Sequence, residues 1–215
     1  MTVKIDDTAV LWSTPERAGR PLLVLLHGYG ADEHDLFGLV QYLPQGVDVA
    51  SVPAPLAAPW PMPGRSWYAI EDLENRDPVA ITTAGRALLA WLDEHASDAA
   101  GVALLGFSQG AAVALQALRL APERFGAIVA LSGYAADGEL PGDAALRESR
   151  PHVFWGRGSH DDVIPAPRVD HTAQWLPDHS TLSGRVYPGL THSISEEELG
   201  DVRRFLDDWI ERIAD

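Results

Sequence analysis

The sequence predicts an α/β fold, a mainly parallel, doubly wound sheet with helices on both faces. Six short apolar runs recur along the chain, and each stops at or beside Gly, Pro or Ser. Runs such as Leu22–Leu26 and Ala127–Leu131 are apolar without alternation, and the set is read as strands covered on both sides, as in a parallel sheet. Between several of them lie segments whose apolar residues recur at helical spacing.

The first run is Leu22–Leu26, followed by His27-Gly28-Tyr29-Gly30. Val47–Val52 ends at Pro53. Ile81, Ala84, Leu88, Trp91 and Leu92 then form one helical stripe. Val102–Phe107 leads into Ser108, and Gln109–Ala121 is apolar almost all round before Pro122 stops it, as suits a buried helix. Ala127–Leu131 ends at Ser132-Gly133, and His152–Trp155 at Gly156. A helix over Pro165–Leu176 opens with proline in its first turn. Leu182–Tyr187 ends at Pro188-Gly189. Leu199, Val202, Phe205, Trp209 and Ile213 line one side of a C-terminal helix, with Ser195 and Glu198 set as a capping box at its start. No repeat or linker divides the chain, so residues 1–215 are expected to form one domain.

The 215 residues are 46% hydrophobic and 22% charged, enough for a large core without disulfide or metal staples. There is no cysteine, which excludes a thiolate metal site, an Fe–S cluster and a cysteine nucleophile. Sixteen basic against 31 acidic residues give −15, so neither nucleic acid nor stable association with an anionic membrane is expected. The N-terminus lacks a signal-peptide core and no 18-residue apolar stretch occurs, which makes the cytoplasm the expected location.

In a doubly wound sheet, chemistry gathers at the carboxyl ends of the strands. After the third run stands Gly106-Phe107-Ser108-Gln109-Gly110, a G-x-S-x-G between a strand and a helix. A sharp strand-to-helix turn strains the serine and projects its hydroxyl at the positive end of the helix dipole. The N–H of Gln109 is then free to meet an oxyanion. A serine nucleophile needs a base, and the base an orienting carboxylate, in the chain order Ser, acid, His. Of the histidines downstream, only His192 lies in a loop after a strand and after an acid. His152 starts its strand, His171 and His179 are expected on a solvated helix surface, and His160 precedes the acid. Asp161 and Asp162 are adjacent candidates for the acid. One can face His192 while the other caps the helix near Pro165, and residue chemistry leaves the choice open. The N–H of Tyr29 is the natural second oxyanion donor, with His27 fixing that loop. The loop lacks the spacing of a phosphate-binding motif.

These segments resemble the phospholipase/carboxylesterase family of α/β hydrolases, which includes acyl-protein thioesterases and small carboxylesterases. The resemblance rests on Leu26-His27-Gly28-Tyr29-Gly30 with Asp35, Arg65-Ser66-Trp67-Tyr68, Gly106-Phe107-Ser108-Gln109-Gly110-Ala111, Gly158 to Pro165, and Tyr187 to Ile194. It runs from about Leu22 to the C-terminus. It implies an α/β-hydrolase fold, selects Asp161 by its spacing to Pro165, and implies a triad of Ser108, Asp161 and His192 with Tyr29 and Gln109 as oxyanion donors. The acid loop departs from the family's frequent H-G-x-x-D, reading Trp155-Gly156-Arg157-Gly158-Ser159-His160-Asp161.

The expected reaction is hydrolysis of small to medium acyl esters through an acyl-enzyme, without cofactor or metal. Ser132 to His152 is too short for a cap domain, so the site is expected to be open. The Pro-rich loop Ala54–Ile70 is expected to run extended, with Trp60, Met62, Trp67 and Tyr68 either lining an acyl groove or packing under the loop. The rival readings are an acyl-protein thioesterase or lysophospholipase and, from another class, a non-catalytic hydrolase-fold binding protein. A small-molecule ester is the expected partner, and a homodimer is left open.

Overall fold

A computed structural model describes residues 3–15, 19–70 and 77–214. Its main sheet has seven strands in the order β1-β3-β2-β6-β7-β8-β9. In chain order these are β1 (Leu11–Trp12), β2 (Leu22–Leu26), β3 (Asp48–Val52), β6 (Val102–Phe107), β7 (Ala127–Leu131), β8 (His152–Gly158) and β9 (Thr181–Tyr187). A separate pair, β4 (Leu56–Ala57) and β5 (Arg65–Ser66), forms a small antiparallel sheet. Only β1 runs antiparallel in the main sheet, against β3. The six predicted strands are all present, but β9 is not covered on both sides as expected: it is the edge strand of the sheet and is mostly exposed, in keeping with its Ser183-Gly184-Arg185. Strand β8 continues three residues past the expected end, because Gly156 and Gly158 remain paired with β9.

Helices cover both faces. On one lie α2 (Pro78–His95), α3 (Gln109–Leu120), α4 (Gly142–Ser149) and α5 (Ala166–His179); on the other lie α1 (Glu33–Phe37) and α6 (Glu196–Ala214). Strand β2 shows how the period of two serves both layers: Leu22, Val24 and Leu26 enter the first core, and Leu23 and Leu25 the second. Helix α2 starts at Pro78 with the Asp77 side chain accepting from the Val79 N–H at 2.8 Å. Helix α3 is buried from Gln109 to Arg119, as its uniform apolarity predicts.

Several local expectations are corrected. The Ala54–Ile70 loop is not simply extended; it folds back on itself through β4 and β5. Helix α4 has no strong apolar stripe in the sequence and is held by Arg119 instead. That guanidinium pairs with Asp143 at 2.7 Å and donates to the carbonyl of Ala136, also at 2.7 Å. His179 is not solvated: it is 4% exposed and stacks on Trp175 at 4.0 Å. The capping box of α6 is half made. Ser195 Oγ accepts from the Glu198 N–H at 3.1 Å, but the Glu198 carboxylate does not return the bond. It lies buried beside Gly156, where a Cβ would come within 2.2 Å of its Oε1.

Between β7 and β8 there is only a loop and the short α4, so that connection carries no cap domain. No helix among the described residues is long and apolar enough to cross a membrane.

Candidate active site

Ser108 joins β6 to α3 with φ 54° and ψ −113°, a backbone conformation that L residues rarely adopt. Close packing on both sides enforces it. A Cβ on Gly106 would lie 2.4 Å from the Gly110 carbonyl carbon, and one on Gly110 would lie 2.0 Å from the Leu26 carbonyl oxygen. The Ser108 N–H donates to the Leu131 carbonyl at 2.8 Å, which pins the turn to the next strand. The hydroxyl is therefore presented at the N-terminus of α3.

His192 comes from the loop between β9 and α6, and Asp161 from the loop between β8 and α5. His192 Nε2 is 2.9 Å from Ser108 Oγ, and His192 Nδ1 is 2.8 Å from Asp161 Oδ2. With the proton on Nδ1 and donated to the carboxylate, Nε2 is free to accept from the hydroxyl. Asp161 Oδ1 accepts from the backbone N–H groups of Val163 (3.0 Å) and Ile164 (3.2 Å). Asp161 thus both faces the histidine and caps the turn leading to α5. This corrects the expected division of labour: Asp162 is exposed and makes no side-chain cap at α5.

The two loops are tied together. The Ser159 N–H donates to the Tyr187 carbonyl (3.0 Å), the His160 N–H to that of Leu190 (2.9 Å), and the Gly189 N–H to Ser159 Oγ (2.9 Å). A Cβ on Gly158 would strike the Leu190 oxygen at 1.9 Å. Phe107 packs its ring 4.9 Å from the His192 ring.

On the other side of Ser108, the N–H groups of Tyr29 and Gln109 make no hydrogen bond among the described residues. His27 explains how the first is aimed. It is fully buried, and its Nε2 accepts from the Ala54 N–H at 3.0 Å. Its proton is therefore on Nδ1, which donates to the Gly28 carbonyl at 2.8 Å. A trans peptide points C=O and N–H in opposite directions, so holding the Gly28 carbonyl also aims the Tyr29 N–H. Burial lowers the His27 pKa, which keeps this neutral tautomer in place.

A cavity of about 410 Å³ opens over Ser108 and His192. Its walls include Tyr68, Ile70, Phe107, Tyr134 and Ile164, with Asp35 near the Tyr29 side. The hydroxyls of Tyr68 and Tyr134 meet at 2.7 Å. Of the four residues read as an acyl wall, Tyr68 lines this cavity. Trp67 does not: it is 1% exposed, with its indole N–H on the His27 carbonyl at 2.9 Å. Trp60 and Met62 sit on the β4–β5 hairpin outside the cavity lining, Trp60 being 93% exposed. Tyr134 lies outside every segment singled out in the sequence, and Ile70 and Ile164 lie within such segments but nothing there marks them as walls. Among the described residues, two groups offer clustered acid and imidazole ligand atoms, Asp7-Glu94-His95 and Asp32-Glu33-His34, and neither includes Ser108, Asp161 or His192.

A family model described as Phospholipase/Carboxylesterase matches residues 11–210, and the chain belongs to that family. Acyl-protein thioesterase 1 of Debaryomyces hansenii is 33% identical over 124 residues, covering 56% of this chain and 53% of that protein. The match thus spans about half the length of the yeast thioesterase. Carboxylesterase SOBER1 of Arabidopsis thaliana is 25% identical over 163 residues, 69% of this chain and 68% of that one. Among solved structures, esterase PE8 superposes with a TM-score of 0.77 at 27% identity, covering 96% of this chain and 99% of the other. Zea mays acyl-protein thioesterase 2 gives 0.75 at 20% identity, over 94% and 98%. The architecture is that of the α/β hydrolases.

Proposed function

We propose that this member of the phospholipase/carboxylesterase family is a serine hydrolase of small to medium acyl esters. The observation that carries the reading is the hydrogen-bond chain from Asp161 through His192 to Ser108, set beside two backbone N–H groups. Ser108 Oγ attacks the ester carbonyl as His192 Nε2 takes its proton. The carbonyl oxygen becomes an oxyanion that accepts from Tyr29 and Gln109 N–H, with the positive end of α3 adding to the field. Asp161 holds the tautomer and stabilises the imidazolium. His192 then gives its proton to the departing alkoxide, leaving Ser108 acylated. Water, deprotonated by His192, attacks the acyl-enzyme; the oxyanion returns to the same donors and the carboxylic acid leaves as Ser108 regains its proton. No step calls for a cofactor. The role suits a cytoplasmic protein acting on a small-molecule ester.

The named relatives include thioesterases, which makes acyl thioester cleavage the second reading. The reading for short and medium chains rests on the limited apolar wall over Ser108: each methylene taken from water adds about 0.8 kcal/mol only while it has such a wall to lie on. A series of p-nitrophenyl esters of rising chain length, with a palmitoyl thioester alongside, tests the choice. We expect kcat/KM to rise over the first few carbons and then level or fall. A preference of more than about tenfold for the palmitoyl thioester over a butyrate ester, about 1.4 kcal/mol, overturns the short-chain reading.

A further inference from the structure

The two donors, Tyr29 N–H and Gln109 N–H, come from separate parts of the chain, the β2–α1 loop and the β6–α3 turn. A developing oxyanion is stabilised only if both point at one spot, and a misplacement of about 1 Å can cost about 10²-fold in rate. The segment Gly64–Tyr68 touches both. On the Tyr29 side, the Gly30 N–H donates to the Arg65 carbonyl at 2.9 Å and the Arg65 N–H to the Ala31 carbonyl at 2.7 Å. Gly64 lies so close that a Cβ there would come within 2.1 Å of the Gly30 oxygen. The Trp67 indole N–H adds a bond to the His27 carbonyl at 2.9 Å. On the Gln109 side, the side-chain amide clasps the same segment. Its Oε1 accepts from the Trp67 backbone N–H at 2.7 Å, and its Nε2 donates to the Tyr68 carbonyl at 2.7 Å and to Ser66 Oγ at 3.2 Å. Ser66 Oγ in turn donates to the Tyr68 carbonyl at 2.6 Å. Ser66, Trp67 and Gln109 are all buried.

We infer that Arg65–Tyr68 is a strut that sets the relative position of the two oxyanion donors, with Trp67 and the Gln109 side chain as positioning residues. Gln109 then has two separable roles: its backbone N–H meets the oxyanion, and its amide fixes the strut. Trp67 reaches the chemistry through the His27 carbonyl without touching substrate. The strut also carries Tyr68, so the cavity wall and the oxyanion donors move as one unit. This inference rests on the serine-hydrolase reading, and its test is built to separate the two.

Two variants address it. Trp67→Phe keeps a ring and removes the indole N–H. Gln109→Met keeps length and backbone N–H and removes the side-chain amide's hydrogen bonds to Ser66, Trp67 and Tyr68. For each, active sites are counted with a fluorophosphonate, kcat per titrated site is measured on a short ester, and affinity is measured for an alkyl boronic acid, whose tetrahedral adduct on serine places an oxygen between the donors. Removing a donor outright costs about 10²–10³ in kcat, so loosening one is expected to cost about 10–50-fold. We expect kcat per titrated site and boronic acid affinity to fall together by that factor, with KM within about threefold. A variant that loses thermal stability or titratable sites while keeping kcat per site and boronic acid affinity overturns the strut and leaves only packing. If the wild-type protein is not titrated at Ser108, the serine-hydrolase reading itself fails. Should either variant fold too poorly to titrate, Ser66→Ala, which removes the bonds through Ser66 Oγ, carries the same comparison with an expected loss of about threefold to tenfold in both readouts. Wild-type values there also overturn the proposal.

Discussion

The turn at 106–110 and the hairpin loop at 54–70 both border the cavity, yet their sequences constrain them very differently. At the turn, backbone touches backbone: Gly106 and Gly110 stand where a Cβ would come within 2.4 Å and 2.0 Å of main-chain atoms. Residue identity there is a statement of geometry. In the hairpin loop, Trp60 and Trp67 are the same residue type in one loop, and one is 93% exposed while the other is 1% exposed. Strand β5 places Trp67 against His27 and Gln109, whereas Trp60 rides on the outer bend. Letters fix structure where atoms crowd, and they leave it open where a loop must first choose how to fold back.

The sharpest consequences lie at the turn and its partners. Ser108→Ala is expected to lower kcat/KM by about 10⁴–10⁶ while the protein stays folded, checked by ester kinetics and thermal melting. Asp161→Asn is expected to cost about 10⁴ by favouring the wrong imidazole tautomer. Asp162→Asn, on the exposed neighbour, should leave kinetics near wild type, and the opposite ranking would move the acid by one residue. For the tryptophans the difference is one of stability. Trp67→Ala empties a packed site and is expected to cost about 3–5 kcal/mol in denaturant unfolding. Trp60→Ala should stay within about 0.5 kcal/mol. Equal effects would erase the contrast between strut and outer bend.

Glu198 offers a comparison across pH. Burial, with the Asp201 charge adding to it, pushes its carboxyl from 4.5 up to about 7. Between those values the unfolded chain has released the proton and the folded chain still holds it. Stability therefore falls as pH rises through that window and levels off above it. Glu198→Gln removes this slope. We expect its melting temperature to gain on wild type from pH 4.5 to 7 and to stay ahead above, by an amount equivalent to at most about 3 kcal/mol. A gap that does not change with pH would place the carboxylate in a better-solvated setting.

The layered sheet was legible because parallel strands buried on both faces are written mostly in apolar residues, as Leu22–Leu26 and Ala127–Leu131 are. The positions of Ser108 and His192 were legible because strand-end loops in chain order leave few alternatives. Asp161 needed the family resemblance, since two adjacent carboxylates read alike until one is seen to accept from both His192 and the Ile164 N–H. The half-made cap at Glu198 was not legible, because the motif Ser-x-x-Glu carries no record of the space beside Gly156 that draws the carboxylate inward. Helix α4 was missed because a buried ion pair, Arg119 with Asp143, holds it in place of an apolar stripe. The cavity walls Ile70, Tyr134 and Ile164 come from three separate loops, and their convergence is a property of the tertiary fold.

In the proposed reaction everything depends on Ser108 being the nucleophile that His192 activates. Reaction with a fluorophosphonate, followed by peptide mass spectrometry and activity assay on the same samples, tests it most directly. We expect one adduct per chain, carried by Ser108, with esterase activity lost in proportion to labelling, and no adduct when His192 is replaced by alanine under the same conditions. Full activity in protein labelled at Ser108, or an adduct on another residue that tracks the loss, would contradict it.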